Sequence, residues 1–380
     1  MDIIVDWSNL PIELWTLIGE KLKLHIEYLR FRSVCHSWRS NLPPFHPSPP
    51  PKFPLPLSSS NEPTSFLCQN TLYLLRSPAT SSSGGWFLKV EESDMMLLRN
   101  PITSRRIRYS RDESLSECLN LLEFKMVELG KSYFLRYIRA SGSVSGLKKV
   151  TLMPSEKGSC VIVIIDDQGK LGFAKSGDQK VRWFSHGDCV FDDVVVYKGQ
   201  TYVVDGLGCV VKISLCSETI QISSKLDGSG GRKHLVECGG ELYVVDRYFD
   251  EAQNKQEGLD WGMFRRRRRY RRYESGELKV VDFKVYKLEW GEGELGRWVE
   301  VKSLVDQAIF LANDCSFSVS AKELAGCEGN CIYFTDENNV NLALRDVTRP
   351  ENFVFSLEDR STHKLGSSPD DSTVFWPPTK

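Results

Sequence analysis

A cysteine stands beside a histidine in the stretch FRSVCHSWRS, residues 31–40. A thiolate next to an imidazole is the pair that a cysteine nucleophile or a metal site requires, so Cys35 and His36 are candidates for either chemistry. The other interpretation is a packing face, in which Cys35 and Trp38 point into a helical core and His36 is a solvated neighbour. No further ligand or orienting group is spaced to complete a site, which favours packing.

Two other motifs match known ligand-binding patterns in residue type and spacing but not in context. GEGELG, Gly291 to Gly296, fits the dinucleotide glycine fingerprint. Glu292 and Glu294 would repel a pyrophosphate, however, and the strand-like RWVEV follows where a phosphate site needs a helix N-terminus. Cys327 and Cys331 in CEGNC are spaced like half a metal knuckle, but no second pair with zinc spacing follows. Both motifs are predicted to be turns.

The sharpest local charge is the run FRRRRRYRRY, which mixes arginines with aromatic residues. The seven arginines are Arg265, Arg266, Arg267, Arg268, Arg269, Arg271 and Arg272. Clustered guanidinium groups and stacking rings suit phosphates or single-stranded RNA, and a basic run also suits a nuclear import receptor. Acidic residues flank the run, so a solvated loop between two strands is the favoured interpretation. Import comes second and direct nucleic-acid binding third.

The composition restricts the class of protein. The 380 residues, 41% of them hydrophobic, can fill a sizeable core, and a formal net charge of -1 gives no chain-wide attraction to nucleic acid or to an anionic membrane. The N-terminus MDIIVDWSNL lacks the basic flank of a secretory signal, and no apolar run approaches the ~20 residues of a membrane span. We therefore expect a globular protein of the nucleus or cytoplasm, with no membrane partner and with its 11 cysteines reduced.

Known catalytic patterns are missing from the sequence. It contains no Gly-x-Ser-x-Gly elbow, His-Glu-x-x-His helix or phosphate loop, and its six histidines are isolated from one another. We therefore expect no catalytic residues, no metal and no cofactor.

Apolar spacing predicts three short helices at the N-terminus. The first contains Leu10, Leu14, Leu17, Ile18 and Leu22, with Pro11 in its first turn. The second contains Ile26, Leu29 and Phe31, and the third contains Val34, Cys35, Trp38 and Leu42, with Ser33 as an N-cap between them. Three helices in about forty residues bury too small a core to be very stable alone, so we expect this unit, residues 1–44, to complete its core against a partner.

A proline-rich linker and a long strand-rich region follow. Nine of the 17 prolines lie between Pro43 and Pro63, which favours an extended linker over 45–63. Over 64–380 a unit of strand, acidic turn, glycine and strand recurs, and Asp166, Asp205 and Asp246 end comparable strands at intervals of 39 and 41 residues. This period is typical of propeller blades. The predicted fold is α+β and multidomain: three helices, then an all-β propeller of five to seven blades, with the arginine run in an insertion at about 250–276.

Two parts of the chain resemble known protein families. LPIELWTLIGEKL and then YLRFRSVCHSWRSNL, from Leu10 to Leu42, resemble the F-box, whose pattern is Leu-Pro, a leucine-rich helix, and Val-Cys with Trp-Arg three residues on. The phrases LLRNPITSRRI, RWVEVKSL, FSVSA and GCEGNCIYFTDE resemble a plant F-box-associated domain that is related to kelch propellers. Together these stretches cover nearly the whole chain.

The resemblance implies a function and its partners. It implies the substrate-recognition subunit of a Skp-cullin-F-box ubiquitin ligase, bound to a Skp adaptor and through it to a cullin, with a target protein held by the propeller. The adaptor-binding face would consist of Leu10, Pro11, Leu14, Ile18, Val34 and Trp38. The alternatives are a propeller enzyme or carbohydrate-binding protein that carries an F-box, and a nucleic-acid binder that works through the arginine run. The near-neutral charge weakens the last of these.

Overall fold

The fold is known from a computed structural model, which assigns the chain to two units. It describes residues 11–22, 25–42, 50–55, 65–76, 85–92, 97–104, 106, 125–138, 142–154, 160–184, 189–214, 219–228, 230–250, 279–291, 295–324, 326–335 and 352–365. The smaller unit spans residues 1–49 with 117–123, and the larger spans 50–116 with 124–380. No helix within the described ranges is long and apolar enough to cross a membrane.

The smaller unit contains the three expected helices, α1 (Ile12–Lys21), α2 (His25–Arg32) and α3 (His36–Asn41). Trp15, Tyr28, Trp38 and Leu42 are buried and form its core. The Trp38 ring lies 5.8 Å from the Trp15 ring and also packs on Phe31. Trp38 therefore joins the three helices from the inside.

One helix cap differs from the prediction. Cys35, not Ser33, is the N-cap of α3, and its Sγ accepts a hydrogen bond from the Trp38 backbone N–H at 3.5 Å. The Ser33 hydroxyl instead donates to the Leu29 carbonyl at 2.7 Å and so belongs to the end of α2. The Cys35 thiol thus satisfies a backbone group at a helix start.

The described residues of the larger unit form twenty-two strands, which fall into five groups. Group 1 contains β1 (Lys52–Phe53), β2 (Ser65–Arg76), β3 (Gly85–Glu92), β4 (Leu97–Arg99) and β5 (Lys125–Tyr137). Group 2 contains β6 (Leu147–Leu152), β7 (Val161–Asp166), β8 (Leu171–Lys175) and β9 (Arg182–Trp183). Group 3 contains β10 (Phe191–Tyr197), β11 (Gln200–Asp205), β12 (Val210–Ile213) and β13 (Thr219–Gln221).

The remaining two groups complete the unit. Group 4 contains β14 (Arg232–Cys238), β15 (Glu241–Phe249), β16 (Val280–Glu289) and β17 (Arg297–Val301). Group 5 contains β18 (Gln307–Leu311), β19 (Ser316–Ser320), β20 (Cys331–Thr335), β21 (Asn352–Ser356) and β22 (Thr362–Lys364). Neighbouring strands pair antiparallel except β18 and β20, which are parallel. Groups 1 and 2 share one sheet through a single pairing, Tyr133 with Val150.

Five hydrophobic clusters connect these groups in a cycle. One cluster joins group 1 to group 2, the next joins 2 to 3, and two more join 3 to 4 and 4 to 5. The fifth packs Phe87 of group 1 against Phe310 and Phe317 of group 5. Every group therefore has an apolar partner on both faces, as in a β-propeller.

The recurring aspartates have a structural role at two of the predicted positions. One carboxylate oxygen of Asp166 accepts hydrogen bonds from the N–H groups two and four residues on, and Asp205 repeats the arrangement. Asp246 differs, because β15 continues past it to Phe249 and its carboxylate faces Lys233. Asp336, the fourth member of the predicted series, lies outside the described residues.

The boundary of the larger unit lies earlier than the predicted linker suggests. The unit begins at residue 50, and Lys52–Phe53 pairs with the start of β2. Phe53 is fully buried in the cluster between groups 1 and 2, and its carbonyl accepts a hydrogen bond from the Ser65 hydroxyl at 2.9 Å. Residues 50–55 are extended, as proline favours, but they belong to the sheet.

β5 lies in none of the sequence phrases from which the strand-rich region was recognised. β5 is long but mostly half-exposed, so its residues lack the apolar alternation of the other strands. The arginine run lies between β15 and β16, outside the described residues. At the base of this insertion, the Asp250 N–H donates to the Lys279 carbonyl at 2.8 Å.

We predict that Phe53→Ala lowers the free energy of unfolding of the larger unit by about 3–5 kcal/mol, because it leaves a cavity between strand groups 1 and 2. Urea denaturation would measure this, and Lys52→Ala, at the exposed neighbouring position, should change it by less than about 0.5 kcal/mol. A chain that begins at Ser65 should be as unstable as Phe53→Ala. Equal stability of the chains beginning at Pro50 and at Ser65 would contradict the assignment of β1 to the fold.

Candidate functional site

The helical unit leaves an apolar face exposed. Leu14 and Leu17 on α1 are 44% and 54% exposed, and Val34, just before α3, is 61% exposed. Pro11 is exposed next to them, and Ile18 is half-buried. We call Leu14, Leu17 and Val34 the helical face. Exposed apolar side chains on a unit whose own core is already filled by aromatic residues are typical of a docking surface.

The predicted adaptor-binding residues fall into distinct positions. Leu14 and Val34 belong to the helical face, whereas Trp38 is buried and can only support that face from behind. Leu10 lies outside the described residues. Leu17 was not among the predicted contact residues, although its helical spacing from Leu14 was a sufficient signal.

Cys35 and His36 do not face each other as a catalytic pair. The Cys35 thiol caps α3, and the Nδ1 atom of His36 lies 3.3 Å from the Ser40 hydroxyl, one helical turn on. Both side chains therefore make their hydrogen bonds within α3.

A cavity of 590 Å³ opens at the axis of the larger unit. It is lined by one strand from each of the five groups, for example through Ser132 of β5, Lys149 of β6, Val195 of β10, Glu237 of β14 and Phe317 of β19. The convergence of five strands on one cavity is the arrangement of a propeller channel.

A buried ion pair connects group 5 to group 1 beside this cavity. The Asp314 carboxylate accepts hydrogen bonds from the Lys89 ammonium at 2.5 Å, the Ser132 hydroxyl at 2.6 Å and the Asn70 amide at 3.2 Å. Burial alone would raise the pKa of Asp314, but the charge of Lys89 and these hydrogen bonds outweigh it and hold the pKa below its usual range. Asp314 is therefore ionised at neutral pH.

Two further ion pairs connect group 2 to group 3. Lys148 lies 3.2 Å from Asp192, and Lys149 lies 2.6 Å from Asp193. The second oxygen of each aspartate accepts a backbone N–H from β14 of group 4 at 3.0 Å. Burial lowers the pKa of Lys148 to about 8, although Asp192 opposes this shift. The two consecutive aspartates thus hold three groups together.

Group 4 carries a fully buried ion pair and continues the polar contacts to group 5. Lys233 and Asp246 lie 2.5 Å apart with no exposure of either side chain. On the other face of the same sheet, Arg247 donates to the Thr335 carbonyl at 2.8 Å, and its guanidinium lies over the Phe283 and Phe334 rings. These groups are positioned by the fold and stabilise its closure.

His234 lies among these charges and is held neutral. Burial lowers its pKa well below the usual value, and the charges of Arg232 and Arg247 add to the effect. Its Nε2 atom has no hydrogen-bond partner within the described part of the chain.

Three cysteines of the larger unit have pKa values raised by burial. Burial raises the pKa of Cys315, at the cavity wall, to about 11, and the pKa of Cys331 to about 12. Cys327 of the CEGNC motif is shifted to about 11 for the same reason. Thiols with these pKa values are protonated at neutral pH, whereas a nucleophile must be a thiolate. Among the described residues no group of three or more His, Cys, Asp and Glu side chains is arranged to hold a metal ion.

The glycine motif GEGELG lies in the connection between β16 and β17. It joins two antiparallel strands of one sheet, so the helix N-terminus that a pyrophosphate requires does not follow it. The interpretation as a turn is consistent with this connection.

We expect Lys89→Met to destabilise the larger unit by about 3–5 kcal/mol at pH 7, because it leaves Asp314 buried without its counter-ion. Urea midpoints measured against pH would test the cause. In the native chain the depressed pKa of Asp314 contributes stability above the unfolded pKa of about 3.9, and this contribution is lost as the pH falls further. In Lys89→Met, burial raises the pKa of Asp314, so the loss of stability relative to the native chain should become smaller as the pH falls. Lys89→Met with Asp314→Leu should recover most of the loss, and a pH-independent deficit would contradict the ion-pair explanation.

His234 should give the fold a second, milder acid sensitivity. The unfolded chain binds a proton at this histidine below about pH 6.5 while the folded chain does not, so stability should fall by up to about 1.4 kcal/mol per pH unit below that pH. In His234→Gln this part of the pH dependence should disappear, as measured by denaturation between pH 7 and about 5. His363→Gln, on edge strand β22, serves as the matched control. An unchanged slope in His234→Gln would show that another group titrates there.

Comparisons with known proteins agree with this architecture. The family model described as the KIB1-4 beta-propeller matches residues 57–361. The F-box protein At2g17690 of Arabidopsis thaliana is 30% identical over 96% of this chain and 96% of its own length. The F-box protein SKIP23 of the same plant is 28% identical over 98% of this chain and 95% of its own length. The chain therefore belongs to the KIB1-4 β-propeller family, and its resemblance to plant F-box proteins that carry a propeller is confirmed.

Proposed function

We propose that this protein is the substrate-recognition subunit of a Skp-cullin-F-box ubiquitin ligase. The observation that carries the proposal is the helical face: Leu14, Leu17 and Val34 are exposed on a unit that buries Trp15 and Trp38. The relatives named F-box proteins align with this chain over both units, and their names support the same assignment. In this proposal the helical unit is an F-box, and its face binds a Skp adaptor that in turn binds a cullin.

The larger unit is proposed to hold the target protein. Five strand groups packed in a cycle support a propeller of five blades, within the predicted range of five to seven. A receptor of this kind needs no active site, because it speeds ubiquitin transfer by raising the effective concentration of a target lysine near the conjugating enzyme. Two of the ionisable side chains that line the axial cavity, Asp314 and Lys149, form ion pairs within the fold itself, which is consistent with this role.

We expect Leu14→Asp and Leu17→Asp each to weaken binding of a Skp adaptor at least thirtyfold, or by about 2 kcal/mol, because a charge would be buried in an apolar interface. Co-expression of the full chain with an adaptor, followed by calorimetry, would measure the loss. Ile138→Asp is the matched control, because Ile138 is 41% exposed but belongs to the β unit, and it should bind normally.

The two leucine variants keep Trp15 and Trp38 in place, so circular dichroism should show an intact helical unit. Retention of native affinity by both variants would refute the proposed docking face. Loss of adaptor binding by Ile138→Asp would show that the effect is not specific to the helical face.

A further inference from the structure

A second group of exposed apolar side chains lies on the β unit, where group 3 meets group 4. Ile220 on β13 is 58% exposed, Trp290 at the end of β16 is 49% exposed, and Leu295 before β17 is 52% exposed. We call these three residues the rim patch. Three of the nine large hydrophobic residues that are exposed in the described part of the chain therefore lie at one place.

The pairing register shows that the rim patch is one continuous surface. Tyr202 pairs with Lys212, and Lys212 pairs with Ile220, so these three side chains lie in a row on one face of the sheet. The Trp290 ring stands over the Tyr202 ring from the facing sheet, at a centroid distance of 6.4 Å. Tyr202 belongs to the hydrophobic cluster between groups 3 and 4, so the rim patch is the solvent-exposed edge of that cluster.

Backbone hydrogen bonds hold groups 3 and 4 together next to the rim patch. The Gly296 N–H, next to Leu295, donates to the Ile222 carbonyl at 2.7 Å, and the Gly296 carbonyl accepts from the Ser224 N–H at 3.0 Å. Both bonds run from group 3 to group 4. A rigid apolar surface with a half-exposed tryptophan loses little entropy on binding, and such residues are typical of interaction hot spots.

The charges on the patch favour a partner with carboxylates. Lys212 lies between Tyr202 and Ile220 in the row, where its methylene stem can cover the apolar side chains while its ammonium remains at the edge. Lys198 lies over the Tyr197 ring at 4.9 Å, near Glu241. Glu289 and Arg297, on the rim, form an ion pair with each other at 3.2 Å. Because Glu289 and Arg297 neutralise each other, Lys212 supplies the net charge next to the apolar side chains of the patch.

We propose that the rim patch binds an extended segment of a target protein in which a bulky apolar side chain is followed or preceded by a carboxylate. The apolar side chain packs on Trp290 and Ile220, and the carboxylate pairs with Lys212. This inference rests on the proposed function as a substrate receptor and assigns the place and chemistry of recognition within it.

The test is a selection of random peptides, displayed on phage, against the full-length protein. Enriched peptides should combine a large apolar residue with an adjacent Asp or Glu. For such a peptide, Trp290→Ala should weaken binding by about thirtyfold in fluorescence anisotropy. Val281→Ala is the matched control, since Val281 is 48% exposed at the other end of β16, the strand that ends just before Trp290, and it should bind normally. Lys212→Glu should shift the selection from acidic to basic flanking residues.

Three results would overturn the inference. They are the absence of apolar-acidic peptides from the selection, binding that does not change in Trp290→Ala, and self-association of the native chain that Trp290→Ala abolishes in sedimentation. The last result would assign the patch to a second copy of the chain. Adaptor affinity, measured on the same preparations, tests the proposed function separately, because Trp290 and Lys212 lie outside the helical unit.

Discussion

Closure of the β unit depends on placing charges where the five strand groups meet, and on pairing each charge with a neighbouring group. Asp192 and Asp193 bind lysines of group 2 and backbone N–H groups of group 4, while Asp314 of group 5 binds Lys89 of group 1. An unpaired charge in such a position would cost several kcal/mol, whereas a paired one specifies which sheet must lie beside it. The apolar clusters supply most of the burial, and the ion pairs supply the order and register of the groups.

This arrangement restricts where function can reside. Lys149 and Asp314, which line the axial cavity, are committed to ion pairs within the fold, so a substitution of either is expected to act through stability. The helical face and the rim patch are exposed apolar surfaces, one on each unit. Each surface consists of side chains that are about half exposed and lie next to a core with aromatic residues. Because the core holds these side chains in place, a small surface can be rigid and still offer apolar area to a partner.

The two units also differ in how they reach stability. The β unit buries both faces of every strand group against its neighbours, so its stability is distributed over five interfaces. The helical unit has a core of four buried aromatic and aliphatic residues. A core of this size is marginal on its own, so a partner on the helical face would stabilise the unit as well as bind it.

The sequence by itself determined the local elements. Apolar spacing placed the three helices, and the acidic turns at Asp166 and Asp205 marked the ends of two equivalent strands, because an aspartate can bond to the backbone N–H groups that follow it. The resemblance to the F-box and to a propeller family came from the same local phrases. GEGELG could be recognised as a turn because a strand follows it.

Only the tertiary structure decided which apolar side chains point inward. Trp38 and Leu17 both have helical spacing, yet the first is buried and the second exposed, since periodicity gives a face but not what covers it. The pairing of Lys89 with Asp314, 225 residues away, and the row formed by Tyr202, Lys212 and Ile220 have no signal in the sequence. Both depend on the order and register of whole sheets, which are set by contacts between residues far apart in the chain.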